Sequence, residues 1–454
     1  MNLERPSKVI AGPFVFLKMF PSCPLAYLAL LLIGSALGSS AEAQYAHKAP
    51  IILPAAALRE LSGYPINTYR VFRSVQGKAE AIPFQFDEMT RYEDFVLDQG
   101  ASPNVHEGDG VFDNADELSF MGEDVGEATP ITSWGGAAPD LSYELKAEHP
   151  NGKKGAVYVG IWFSKPPPPS NKSYVSFNLQ QAKISTSRYA YYFDPKNYLV
   201  VKGIDVLSDG KPRRLVESSS FFLKADLKYF LTFLVNQSSI VSKLEAYKIG
   251  PIRSIVRVSF SYVLLRLNFE MGMYTEVSFF ANSVILPAIM YNPLDGAKSL
   301  NKGSGFYYGF ALNENPASLN LKSSLPSYKE PSSSSSSFFS SKNVVERSYS
   351  VTTSSKDWFM QMEIEPSSKM ISKGYGPSLY LENASAEEIA KRPLNKALPL
   401  GESPVNLAVN FDLSEFSEGE HRVGFRLYFE NQVTPELMES YSTLNLWRYN
   451  VKRR

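Results

Sequence analysis

Leu141-Ser142-Tyr143-Glu144-Leu145-Lys146-Ala147-Glu148 decides the fold. Apolar and polar residues alternate along it with a period of two, the spacing of a strand that buries one face. Pro150-Asn151-Gly152 supplies a turn, and Val157, Val159, Ile161 and Phe163 resume the alternation, so the segment reads as a β-hairpin with one buried face. A second hairpin is signalled by Tyr198-Leu199-Val200-Val201, the turn Ser208-Asp209-Gly210-Lys211, and the apolar Leu215-Val216 beyond it.

The same period returns further on. Val256, Val258, Phe260, Tyr262 and Leu264 share one strand face, and Val277 and Phe279 share another. Val405, Leu407, Val409 and Phe411 alternate, as do Val423, Phe425, Leu427 and Phe429 after the Glu418-Gly419-Glu420 turn. Leu227 to Val235 fits a buried strand or a short core helix equally well. Helix signals are short: Ser385 and Glu388 make a capping box ahead of Lys391, and Thr434-Pro435-Glu436 opens another turn or two. The expected architecture is all-β, with sandwich domains and short helical turns only.

The first 43 residues read as a secretory signal. Arg5, Lys8 and Lys18 precede an apolar core from Leu25 to Ile33, and Ala41-Glu42-Ala43 offers a cleavage site ahead of Gln44. That core is shorter than the roughly 20 residues a membrane span needs, so no transmembrane anchor is expected after cleavage. Cys23, the single cysteine, leaves with the signal, which excludes disulfides, cysteine nucleophiles and thiolate metal sites from the mature chain. A secreted chain without disulfides points to a bacterial periplasm or cell surface, where the sequons at Asn171, Asn236 and Asn383 carry no meaning.

Lys165-Pro166-Pro167-Pro168-Pro169-Ser170 is a stiff spacer and divides an N-terminal β domain, 44–164, from a larger β-sandwich region, 170–454. The serine-rich stretch around Phe338 and Phe339 reads as a mobile loop or a second boundary, near 331–342. Lysine and arginine total 46 and aspartate and glutamate 46, so overall charge gives no reason to expect a nucleic-acid partner.

The one convergence of chemically like side chains is His106-Glu107-Gly108-Asp109-Gly110-Val111-Phe112-Asp113-Asn114-Ala115-Asp116-Glu117-Leu118. With Gly110 in the sixth position of a calcium loop, Glu107, Asp109, Asp113 and Asp116 fall at the third, fifth, ninth and twelfth. Val105 then stands where the first, anchoring acid belongs. The stretch resembles the calcium loop of dockerin modules, which implies calcium as a ligand of those four residues. Two other readings stay open. One is a solvated turn whose aspartates bond their own backbone, and the other is a catalytic carboxylate cluster.

Ile82-Pro83-Phe84-Gln85-Phe86-Asp87-Glu88 is an alternating strand that ends in paired acids. Asp87 and Glu88 could form an acid/base pair with the loop carboxylates, but neighbours along a strand point to opposite faces, so at most one can join such a site. This segment, with Asp113-Asn114-Ala115-Asp116-Glu117-Leu118-Ser119-Phe120-Met121-Gly122 and Gly250-Pro251-Ile252-Arg253, resembles exported bacterial β-rich proteins without an assigned activity. The resemblance implies export and a β-rich fold. Gly-x-Ser-x-Gly, His-Glu-x-x-His and phosphate-cradling glycine loops are absent, which disfavours serine and zinc hydrolases.

Tyr189-Ala190-Tyr191-Tyr192-Phe193 and Phe306-Tyr307-Tyr308 could line a groove where sugar rings stack, or could simply be aromatics that sheets favour. The resulting expectation is an exported cell-envelope or binding protein, facing a glycan or another envelope component. A polysaccharide hydrolase or lyase is the enzymatic alternative. An outer-membrane barrel is a third, opposed by 30 prolines and the basic end Lys452-Arg453-Arg454.

Overall fold

The computed structural model describes residues 48–113, 115–149, 152–208, 210–228, 231–236, 240–264, 267–292, 295–315, 319–325, 337–340, 349–355, 357–382, 405–434, 437, 441 and 448–454. The signal segment and the capping box at Ser385 lie outside the described residues.

Two antiparallel sheets form the larger sandwich. A ten-stranded sheet runs in space from Ser337–Ser340 through Ser378–Leu381, Leu407–Asp412, Gly305–Leu312, Lys211–Asp226, Asn197–Ser208, Tyr189–Asp194 and Lys183–Thr186 to Val175–Asn178. Thr232–Asn236 pairs beside Lys211–Asp226, so the described part of the ambiguous segment from Thr232 to Val235 is strand. A nine-stranded sheet faces it, ordered Lys322–Ser323, Tyr349–Ser354, Phe359–Pro366, Gly419–Glu430, Ser283–Asn292, Leu267–Phe280, Arg253–Leu264, Ile240–Ile249 and Gln99–Gly100.

The alternation explains how these layers meet. Ile184, Tyr191, Ile204, Phe310 and Val409 from the first sheet pack in one core with Val256, Val258, Phe279, Phe425 and Leu427 from the second. Each such side chain contributes about 1.5–3 kcal/mol of burial free energy. Tyr189, Tyr191 and Phe193 are core residues with exposures of 0%, 7% and 3%, so these three line no groove, whereas Tyr192 is half-buried on the other face between Lys183 and Arg214. Phe310 and Tyr308 sit in the same core.

The smaller sandwich pairs a three-stranded sheet, Pro50–Pro54, Glu117–Met121 and Gln85–Asp87, with a five-stranded one. The latter is ordered Arg448–Arg453, Leu141–Glu148, Lys154–Ile161, Tyr69–Val75 and Lys78–Ala81. Ile51, Phe86, Leu118 and Phe120 pack against Tyr69, Val71, Leu145, Val157 and Val159.

Three expectations need correction. The 141–161 hairpin buries both faces. Ala156 and Tyr158, on the side away from the sandwich core, are covered with Phe72 by Trp162, Trp134 and Ile131. The last strand, Arg448–Arg453, joins Leu141–Glu148 in the smaller sandwich rather than the larger region, because alternation specifies a buried face but not the neighbour that covers it. Ser337–Ser340 is not loop: it pairs with Ser378–Leu381, as its two phenylalanines favour. Among the described residues no helix is long and apolar enough to cross a membrane. Thr434 does cap a turn, its hydroxyl accepting from the Leu437 amide at 3.2 Å.

Candidate functional site

Arg253 opens a strand whose residues alternate between two environments. Val256 and Val258 face the sandwich core, whereas Arg253, Ile255 and Arg257 face outward, toward the chain from Gln85 to Asn104. The three sequence segments grouped by resemblance, 82–88, 113–122 and 250–253, meet on this outer face.

Gln85 and Asp87 stand two apart on one strand and point the same way. Phe86 between them points into the small core, with its ring 4.8 Å from that of Tyr69 and 4.7 Å from that of Phe112. Gln85 Oε1 accepts from the amides of Ile252 and Arg253 at 3.2 and 3.0 Å, and its Nε2 donates to both Asp87 oxygens at 2.8 and 3.0 Å. Gly250 is required by this approach, since a Cβ there would lie 1.9 Å from Gln85 Oε1.

Asp87 also receives Arg253 Nε and Lys248 Nζ, each at 2.8 Å. Arg253 Nη2 reaches Glu117 Oε2 at 2.6 Å. Two cations and two anions therefore balance. The guanidinium lies 4.6 Å from the Phe95 ring centre and 5.5 Å from that of Phe280, a geometry that suits a planar cation. Burial alone would raise the Asp87 carboxyl, but the charges of Arg253 and Lys248 and the Gln85 bond hold it below the usual range. Burial likewise works against the Arg253 charge, and Asp87 and Glu117 overcome it.

Glu88 points the other way, as strand geometry requires, and its Oε1 accepts from the Gly110 amide at 2.6 Å. The acidic loop follows. Asp109 Oδ1 accepts from Val111 N at 2.8 Å, Asp113 Oδ1 from Ala115 N at 3.2 Å, and Asp116 from Met89 N and Asp113 N, both at 2.9 Å. Glu107 is exposed, its carboxylate 3.9 Å from the His106 ring. Among the described residues no group of three or more His, Cys, Asp or Glu side chains converges at metal-holding distance. The bonds seen here are those of a turn that satisfies its own backbone.

Asp116 has the acidity of a general acid, pushed up to about 6 by burial with help from Asp113 and Glu88. It is 2% exposed and each of its oxygens already holds a backbone amide, so a substrate has no route to it. Asp87, 1% exposed, is equally enclosed.

Beside this knot the chain makes a tight turn. Thr90 N donates to Asp94 O at 2.7 Å, Glu93 N to Thr90 O at 2.9 Å, and the Thr90 hydroxyl accepts from the Tyr92 and Asp94 amides. These bonds hold Glu93 at φ +67°, a left-handed conformation that costs a non-glycine residue about 1 kcal/mol or more. Tyr92 at the apex is 68% exposed. Asp94 accepts from the Tyr274 hydroxyl at 2.5 Å, and Phe95 N and O bond Glu276 and Arg257, themselves an ion pair at 2.6 Å. Burial raises the Glu276 carboxyl against the pull of Arg257.

Sequence reasoning named Asp87, Glu88 and the loop acids but missed Lys248, Arg257, Glu276 and Tyr274. One signal was available: Arg253 and Arg257 occur four apart within the alternating run that includes Val256 and Val258, so a carboxylate partner for each was to be expected.

No protein-family model matches the chain, and no curated relative matches it by sequence. Among solved structures, similarity is found to an alpha-mannosidase from Enterococcus faecalis V583, with TM-score 0.44 and 9% identity over 94% of this chain and 48% of that one. A protein in the glycosyl hydrolase family 38 from Enterococcus faecalis gives TM-score 0.41 and 8% identity, over 90% of this chain and 46% of that one. The Slr1438 protein from Synechocystis sp. PCC 6803 gives 0.35 and 9%, over 60% of this chain and all of that one. The chain spans about half the length of the two enterococcal proteins.

Proposed function

We propose that this chain is an exported β-sandwich protein of a bacterial cell envelope whose role is binding, with a glycan as the ligand class. The observation that carries the reading is the condition of the acids. Asp87 and Asp116 are enclosed and have both oxygens bonded, Asp116 by amides of its own segment and Asp87 by Arg253 and Gln85, so these acids serve structure and Asp87 helps fix one sandwich against the other. What reaches solvent beside it is a rigid turn that carries an aromatic side chain.

The test has two arms. Expression with the native N-terminus should yield a secreted chain that starts at or near Gln44. A glycan array combined with a reducing-sugar release assay should then show retention without release. Release of reducing ends, reduced by Asp116→Asn, would replace this reading with the hydrolytic one, and recovery of the uncleaved chain would remove export from it.

A further inference from the structure

Building on the binding reading above, we propose that the Thr90–Asp94 turn and the open end of the nine-stranded sheet beneath it form a platform for a neutral hexose glycan. Parts of the sheet's outer face are covered. Phe95 and Leu97 lie over Ile255 and Ala246, and Leu437 and Tyr441 lie over Phe359 and Tyr428. Next to the turn Tyr274 is 39% and Ile289 49% exposed, and Tyr92 on the turn is 68% exposed.

The three side chains belong to one patch. Tyr274 is bonded to Asp94, two residues from Tyr92, and Ile289 is the register partner of Arg422. Arg422, whose charge is supported first by Glu420, also feels Glu93 and Tyr274. The turn that raises Tyr92 is held by four hydrogen bonds and contains the one left-handed glutamate noted above. Backbone outliers held in place in this way cluster at active sites and ligand clamps.

Charge decides the ligand class. Arg422 is paired with Glu420, Arg257 with Glu276, and Arg91 donates to the Tyr92 hydroxyl while its guanidinium lies 4.7 Å from the ring centre. Glu93 and Asp94 add negative charge, so the patch offers no excess of cations for an acidic polymer. Paired guanidinium and carboxylate groups do match sugar hydroxyls, which donate and accept at once, and tyrosine faces match the C–H face of a pyranose ring.

The experiment is affinity electrophoresis of the full mature chain through gels that contain glucan, mannan, galactan or polygalacturonate. Wild type should be retarded by at least one of the three neutral polymers. Tyr92→Ala should weaken retardation by about tenfold or more in apparent Kd, as loss of a central aromatic anchor does, while Tyr92→Trp retains it. Phe163→Ala, which removes an aromatic side chain exposed elsewhere, should change nothing. Equal melting temperatures for wild type and Tyr92→Ala would confirm that the loss is one of contact. Retardation of wild type with Tyr92→Ala unaffected would overturn this site and leave the glycan reading standing. Retardation by polygalacturonate alone would overturn the neutral class, and no retardation by any polymer would overturn both site and reading.

Discussion

Arg253 and Asp87 are separated by 166 residues in sequence and by 2.8 Å in space, guanidinium nitrogen to carboxylate oxygen, with 2% and 1% of their side chains exposed. Each stands on a different sandwich, so this contact, with those that Lys248, Gln85 and Glu117 make around it, ties the two together.

Removal of one partner leaves the other charged and buried. Arg253→Met should destabilise the chain by about 3–5 kcal/mol, and Asp87→Asn by a comparable amount. Paired in one chain, the two substitutions should cost clearly less than their sum, because neither charge is then stranded. Urea unfolding of the three variants measures this, and strict additivity would show that the pair is not coupled.

Gly250 should tolerate no side chain. Gly250→Ala pushes Gln85 away from both Asp87 and the 252–253 amides, with an expected loss of about 2–4 kcal/mol. Gln85→Ala should cost less by itself and should absorb much of the Gly250→Ala effect in the double variant. A Gly250→Ala chain as stable as wild type would mean that Gln85 does not sit where it is described.

Two buried acids should give stability opposite slopes in pH. Asp116 ionises near 6 when folded and near 3.8 when unfolded, so the folded chain binds the extra proton between those values and stability falls as pH rises across them. The full effect is about 3 kcal/mol. Asp87 is held below 3.8, so its contribution is present above that value and is lost as pH falls beneath it. Urea midpoints collected from pH 3 to pH 7 should rise and then decline, and Asp116→Asn should flatten the decline. A decline that survives in Asp116→Asn would assign it to another group.

The acidic loop should ignore calcium. Asp109, Asp113 and Asp116 hold backbone amides in place, so melting curves with calcium and with chelator should coincide. Asp109→Ala and Asp113→Ala should each cost about 0.5–1.5 kcal/mol. A calcium-dependent rise in Tm, abolished in the double variant, would favour the metal reading of this loop over the plain turn.

Strand class was legible in the sequence because it is local. Val157, Val159 and Ile161 alternate and are buried where the alternation puts them. So do Val423, Phe425, Leu427 and Phe429. The opposite orientations of Asp87 and Glu88 were legible for the same reason. The pairing of Arg253 with Asp87 was not, since no rule of period two reaches across 166 residues. The aromatic run 189–193 shows the same limit from the other side. A tyrosine's sequence neighbours do not reveal whether a second sheet will cover it, and here one does.

The last strand has a consequence in time. Arg454 meets the buried carboxylate of Glu144 across 310 residues. The edge of Leu141–Glu148 therefore stays open until Arg448–Arg453 has been made and has paired with it, and until then Glu144 has the Tyr158 hydroxyl but not the Arg454 guanidinium. Closure of so long a loop is slow and leaves sheet edges exposed meanwhile. The smaller sandwich cannot lock before Arg448–Arg453 has docked on Leu141–Glu148.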